Sequence, residues 1–170
     1  MMPLRPGFKY RNIDDYYYRN GRLYPHAPLT NEEQTGVLAG LEGLERFSPQ
    51  IKECYYNAQR LALSGGFEYA EGYIMSERVP VPIAHAWAVY NGKPIDVTIR
   101  PLGESRTQVR SKILARIVRN IQENSYFGVM FPRKVISDIW RTEHMSRSVV
   151  DDWKGGFKLL RGNPGARRRR

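Results

Sequence analysis

From residue 67 to 75 the chain alternates strictly. Phe67, Tyr69, Glu71, Tyr73 and Met75 fall on one side of an extended segment, and Ala70, Gly72 and Ile74 on the other. That period of two predicts a β-strand, and the small residues at 70 and 72 leave room for a helix backbone to approach closely. Two more apolar runs, 83–90 and 93–99, flank Asn91-Gly92, which predicts a hairpin with a two-residue turn. The preceding Val79-Pro-Val-Pro82 argues against a central strand, because two prolines remove ladder donors. Residues 126–131 predict a further strand.

Elsewhere the spacing is helical. Thr30-Asn-Glu-Glu33 is a capping-box pattern, and Val37, Leu38, Leu41, Leu44 and Phe47 follow at helical intervals. Gly36, Gly40 and Gly43 each cost this helix about 1 kcal/mol relative to alanine, unless close packing needs them. A second helix is expected over 50–64, with Ile51, Cys54, Tyr55, Ala58, Leu61 and Ala62 on one side and Gly65-Gly66 as its stop. Residues 104–124 predict a basic amphipathic helix carrying Val109, Ile113, Ile117 and Ile121, and residues 134–143 another carrying Val135, Ile136, Ile139 and Trp140. Residues 1–29 show no sustained period. They read as an irregular arm, rich in Tyr, Arg and Pro, whose aromatics pack on the domain. The expected organisation is an α+β domain over 30–153, preceded by that arm and followed by a basic, disordered tail over 154–170.

A chain of 170 residues suffices for one domain with a real core. Its 27 Lys and Arg against 17 Asp and Glu give a formal charge of +10. The excess lies partly in the arginines at 167–170 and partly in the body, where Arg106, Arg110, Lys112, Arg116 and Arg119 share the 104–124 segment. Such a surface suits nucleic acid or an acidic partner, although a charge run is more often a solvated face. One cysteine excludes an intrachain disulfide and a Cys-rich zinc site. Three histidines without further cysteines form no convincing metal set, so no metal or cofactor is expected. No apolar run approaches membrane-spanning length, and Met1-Met-Pro-Leu-Arg-Pro-Gly lacks a signal-peptide core. The expectation is a cytoplasmic protein with no membrane partner and an oligomeric state left open.

The chemistry-bearing residues are Cys54, His85 and Asp96. Cys54 falls near the start of the expected 50–64 helix, where the partial positive charge favours a thiolate and free amides can cradle an oxyanion. A two-residue Asn91-Gly92 loop pairs Tyr90 with Lys93, hence Trp87 with Asp96 and His85 with Thr98. His85, Trp87, Asp96 and Thr98 then share a face, with the Cβ atoms of His85 and Asp96 roughly 7 Å apart as diagonal neighbours. A register slip of one residue would separate them. Thiol, imidazole and carboxylate are the parts of a thiol acyl-transfer site. Taken singly, a lone Cys or strand His is usually structural.

Lys52-Glu-Cys-Tyr-Tyr-Asn-Ala58, Tyr69-Ala-Glu-Gly-Tyr73, His85-Ala-Trp87 and Ile95-Asp-Val-Thr98 together resemble the transglutaminase-like cysteine-enzyme core, pieces of which occur in small bacterial and phage proteins. The resemblance covers about residues 50–98, and Tyr126-Phe-Gly-Val129 is similar to a later strand of the same sheet. It implies a papain-like α+β fold with the Cys-bearing helix against an antiparallel sheet. It further implies Cys54 as nucleophile, His85 as general base and acid, Asp96 as orienting carboxylate, and a protein or peptide substrate. Two departures stand out: Glu53 replaces the usual Gly beside the Cys, and Asp96-Val-Thr98 replaces Asp-Pro-Thr. Gln50 is similar in place to the upstream Gln that donates to the oxyanion in papain-like enzymes, or else caps the helix. Trp87 shields the His–Asp bond or simply packs, and Glu71 is either an ionic partner near the site or, as the preferred reading, a solvated strand residue. The implied activity is acyl transfer from an amide, as protease, amidase, transglutaminase or deamidase. The alternative is a non-enzymatic nucleic-acid- or protein-binding protein using the basic helix and Arg tail.

Overall fold

A computed structural model of the chain describes residues 4–42, 49–50, 52–64, 66–76, 79–99, 110–143 and 146–161. In chain order these form α1 (Ile13–Asn20), β1 (Arg22–Leu23), α2 (Asn31–Glu42), α3 (Cys54–Ser64), β2 (Glu68–Ser76), β3 (Val79–Tyr90), β4 (Lys93–Ile95), α4 (Arg110–Glu123), β5 (Asn124–Phe131) and α5 (Arg133–Glu143). A 3₁₀ turn, Lys158–Leu160, closes the described chain. The fold is mixed α/β, with one antiparallel sheet in the order β1-β5-β2-β3-β4.

The hairpin register follows the turn chemistry. Asn91 and Gly92 both take positive φ, 49° and 77°, as a primed two-residue turn requires. Tyr90 pairs with Lys93, Val89 with Pro94 and Ala88 with Ile95. The second strand of the hairpin is shorter than expected, ending at Ile95. The first is longer, because β3 runs through Pro80 and Pro82. Extended prolines are tolerated there because β4 covers only residues 88–90, and the β2–β3 register shifts between Ile74 and Ser76.

The capping box forms as expected. The Thr30 amide donates to Glu33 Oε2 at 2.8 Å, and the Glu33 amide to Thr30 Oγ1 at 3.2 Å. Gly36 and Gly40 of α2 admit neighbours that a side chain would exclude: a Cβ would lie 2.0 Å from Tyr90 Oη and 2.4 Å from Phe67 Cε2 respectively. The close approach at Gly72 is to a strand, however. Its Cβ would meet the Phe127 carbonyl oxygen of β5 at 2.2 Å, so the small residue serves strand pairing rather than a helix.

The arm and the tail both need correction. Residues 13–20 form a helix, N-capped by Asn12, whose side chain accepts from the Asp15 amide at 2.8 Å. Its three consecutive tyrosines are only middling helix formers and hide the period; tertiary packing decides instead. The aromatics do pack inward: Tyr10, Tyr16 and Tyr17 join Ala58 and Ala62 of α3, Tyr69 and Ala86 of the sheet, and Ile136 and Ile139 of α5 in one core cluster. Phe131, Val149, Val150 and Leu160 complete that cluster, and the Leu160 carbonyl accepts from the amides of Lys9 and Tyr10. Residues 154–161 therefore belong to the packed body, while 162–170 lie outside the described residues. A second cluster sets α2 and α4 against Leu61, Phe67, Ala88 and Ile95. A third gathers Tyr24, Ala70, Ile74, Trp87, Val89 and Tyr126.

Candidate active site

The helix carrying Cys54 starts later than the expected residue 50. Lys52 takes a left-handed φ of 65°, and the Asn57 amide donates to the Glu53 carbonyl at 2.9 Å, so Cys54 is the first helical residue. α3 packs across β3 and β2. Cys54 is half-buried and Gln50 is exposed. Gln50 does not cap α3; its main chain is clamped by Asn57 of the next turn. The Gln50 amide donates to Asn57 Oδ1 at 2.8 Å, and Asn57 Nδ2 donates to the Gln50 carbonyl at 2.8 Å.

His85 lies on β3 opposite Gly72 of β2. Because β4 ends at Ile95, the chain beyond leaves the ladder and Asp96 turns its carboxylate onto the ring. His85 Nε2–H donates to Asp96 Oδ2 at 2.8 Å, with both residues buried. The Thr98 amide donates to Asp96 Oδ1 at 2.8 Å, and Tyr126 Oη donates to Oδ2 at 3.0 Å. Each carboxylate oxygen thus has a fixed partner. Asn120 Nδ2 of α4 holds the loop's main chain by donating to the Asp96 and Ile99 carbonyls, at 2.9 and 3.0 Å.

Burial disfavours an imidazolium at residue 85, but the charge and hydrogen bond of Asp96 outweigh it and raise His85 from 6.5 to about 10. With Nε2 engaged by Asp96, Nδ1 is the ring nitrogen left for a second partner. The Cys54 side chain lies next to the ring and favours its protonated form to a smaller degree than Asp96 does. Burial likewise opposes the Asp96 carboxylate, yet His85, the Thr98 amide and the Tyr126 hydroxyl hold it below the usual carboxylate range.

These shifts set a pH dependence. A raised His85 contributes its full stability below 6.5 and loses it as pH rises towards about 10. A lowered Asp96 contributes above 3.8 and loses its share as pH falls below that value. Urea unfolding should therefore show the advantage of the wild type over Asp96→Asn largest between these limits. That advantage should shrink steadily on the alkaline side.

Trp87 is fully buried and lies nearly parallel to the His85 ring, with centroids 6.4 Å apart and planes 17° apart. Tyr24 and Tyr126 meet it edge-on. Its Nε1 has no hydrogen-bond partner among the described residues. The ring therefore walls the His–Asp pair off on one side, as an apolar surface.

Several site residues escaped the sequence reading. Asn57 is fully buried and also donates to Thr98 Oγ1 at 2.9 Å, tying the Cys54 helix to the loop that carries Asp96. The available signal was a poor helix former one turn after Cys54. Asn57→Ala is expected to cost about 2 kcal/mol in urea unfolding, because it orphans both Gln50 main-chain groups. Asn120 had a similar signal, a polar residue beside the apolar stripe of Ile113, Ile117 and Ile121. Tyr126 had none.

Glu71 overturns its solvated reading. It is fully buried, and its carboxyl accepts from Tyr17 Oη, Tyr69 Oη, Ser148 Oγ and the amides of Val149 and Val150, at 2.5 to 3.1 Å. The basic helix is corrected in part. Arg116 is buried and Nη1 donates to the Val97 carbonyl at 3.1 Å, whereas Lys112 and Arg119 are exposed. Arg106, His144 and the arginines at 167–170 lie outside the described residues.

Comparison of the chain with protein-family models, with curated proteins and with solved structures finds no match in any of the three. No helix among the described residues is long and apolar enough to cross a membrane.

Proposed function

We propose that the protein is a cysteine-dependent acyltransferase or hydrolase acting on amides, with Cys54 as nucleophile, His85 as general base and acid, and Asp96 as the orienting carboxylate. A helix that opens with its cysteine and lies across an antiparallel sheet supports a transglutaminase-like, papain-like core. The observation that carries the reading is the buried His85–Asp96 hydrogen bond of 2.8 Å beside Cys54. A buried ion pair costs desolvation, and proton transfer gives this one a use beyond packing.

In the proposed cycle His85, held as the imidazolium by Asp96, carries the proton given up by Cys54, and the thiolate Sγ attacks the acyl carbon of an amide. The C–S bond forms and the carbonyl electrons move onto oxygen, facing the free amides at the start of α3. The tetrahedral species collapses, the C–N bond breaks, and His85 returns the proton to the departing amine. Water or an amine then attacks the thioester while His85 takes its proton, and Cys54 leaves as the thiolate beside the restored imidazolium. Asp96 holds the ring so that Nδ1 faces the thiol throughout.

A generic acyl donor tests this directly. After brief exposure to p-nitrophenyl acetate, intact mass should show one acetyl group, localised to Cys54 and absent from Cys54→Ser. Acetylation spread over lysines and unchanged in Cys54→Ser would sink the reading.

A further inference from the structure

A cavity of about 410 Å³ lies beside Tyr55, the residue that follows Cys54 on α3. Neither Cys54 nor His85 lines it, but their chain neighbours Tyr55 and Ala84 do. Its volume lies within the range of ligand pockets. The walls come from four places in the sequence: Phe8 and Ile13 near the start, Tyr55 on α3, Tyr73 and Ala84 across the β2–β3 pair, and Phe157 near the end. Most of these side chains are apolar or aromatic, which is the lining that takes up a bulky apolar group.

The charged groups at the cavity divide by side. Arg5 and Arg11 line it from the arm, and among the described residues neither guanidinium forms an ion pair. Asp14 is occupied by Tyr73 Oη and Asn12 Nδ2. Asp15 is occupied by Arg19 and by the Arg11 amide. Asp151 lines the C-terminal side with its carboxyl unbonded among the described residues. The arm side of the mouth therefore offers the Arg5 and Arg11 guanidinium groups, of which Arg11 also acts at longer range on the Asp15 carboxylate, and the far side offers the Asp151 carboxyl.

We propose that this cavity binds the acyl donor of the reaction proposed above, and that it selects a peptide with a large aromatic side chain followed by a carboxylate. The aromatic group fills the space between Tyr55, Tyr73 and Phe157, and the carboxylate meets Arg5 and Arg11. Tyr55, the helical neighbour of Cys54, brings the neighbouring carbonyl towards the thiol from the cavity's α3 wall. The inference rests on Cys54 being the nucleophile, so its test separates the two.

Cys54 is labelled by dipeptide chloromethyl ketones, in which Sγ displaces chloride, and in parallel by iodoacetamide, whose small size needs no cavity. The rate is read from intact mass. The phenylalanine-bearing reagent should label at least about tenfold faster than its alanine counterpart, in line with burying one aromatic side chain. Ala84→Leu, which narrows the cavity from an exposed strand position, should abolish that preference while leaving iodoacetamide labelling unchanged. Arg11→Glu should reduce the preference for reagents bearing a neighbouring carboxylate. Equal rates for phenylalanine and alanine reagents, with iodoacetamide labelling still dependent on His85, would overturn the cavity assignment alone. Iodoacetamide labelling independent of His85 would instead remove the reading beneath it.

Discussion

Replacing His85 with glutamine is expected to slow acyl transfer to Cys54 by about a hundredfold to ten-thousandfold, the usual worth of a positioned general acid–base. Glutamine keeps a donor for Asp96 Oδ2, so the buried carboxylate retains the bond that His85 Nε2 makes at 2.8 Å. It cannot carry a proton between thiol and leaving group. The rate is measured as the burst of p-nitrophenolate under single-turnover conditions, with thermal unfolding as the control for folding. A variant that unfolds normally and acylates at the wild-type rate would leave His85 a structural residue. Asp96→Asn should lie between the two, because the ring keeps a partner but loses the charge that holds it protonated.

The second large effect is on stability. Glu71→Ala should destabilise the protein by about 4 kcal/mol, at the upper end for a single substitution. Five donors converge on this carboxyl, three hydroxyls and two main-chain amides, all in buried surroundings. Removing it leaves them unsatisfied in an interior that water reaches poorly, and such groups cost about 1–3 kcal/mol each where no water replaces the partner. Tm should fall by about 10 °C for a chain of this length. Glu71→Gln, which retains one acceptor oxygen, should lose less. Equal Tm values for wild type and Glu71→Ala would mean the cluster contributes little.

What was legible in the chain was whatever local chemistry determines. The Asn91-Gly92 turn set the hairpin register as far as Ile95, but the expected pairs of Trp87 with Asp96 and His85 with Thr98 do not form, and Asp96 reaches His85 from a loop that Asn120 holds. Thr30 and Glu33 marked a helix start through two reciprocal bonds that involve no distant residue. Where tertiary structure decides, the pattern misled. Glu71 follows the strand alternation faithfully, but its face is covered by Tyr17 and by residues 148–150, and no local signal brings them there. Arg116 looked like one more charge on a basic face until Val97 offered its carbonyl. α1 was hidden because burial of Tyr16 and Tyr17, rather than intrinsic propensity, holds its eight residues.

The prolines of β3 have a consequence beyond local geometry. Val79, Val81 and Ile83 are exposed apolar residues in an extended segment, and β4 ends before reaching them. An uncovered apolar strand invites another chain to pair with it and nucleate aggregation. Pro80 and Pro82 alternate in step with Tyr90, which faces β4 across the hairpin, so the N–H groups missing from this segment are those that would point outward past the end of β4. A second molecule arriving at that edge finds acceptors without matching donors. The prolines guard the open end of the strand that carries His85 against such pairing.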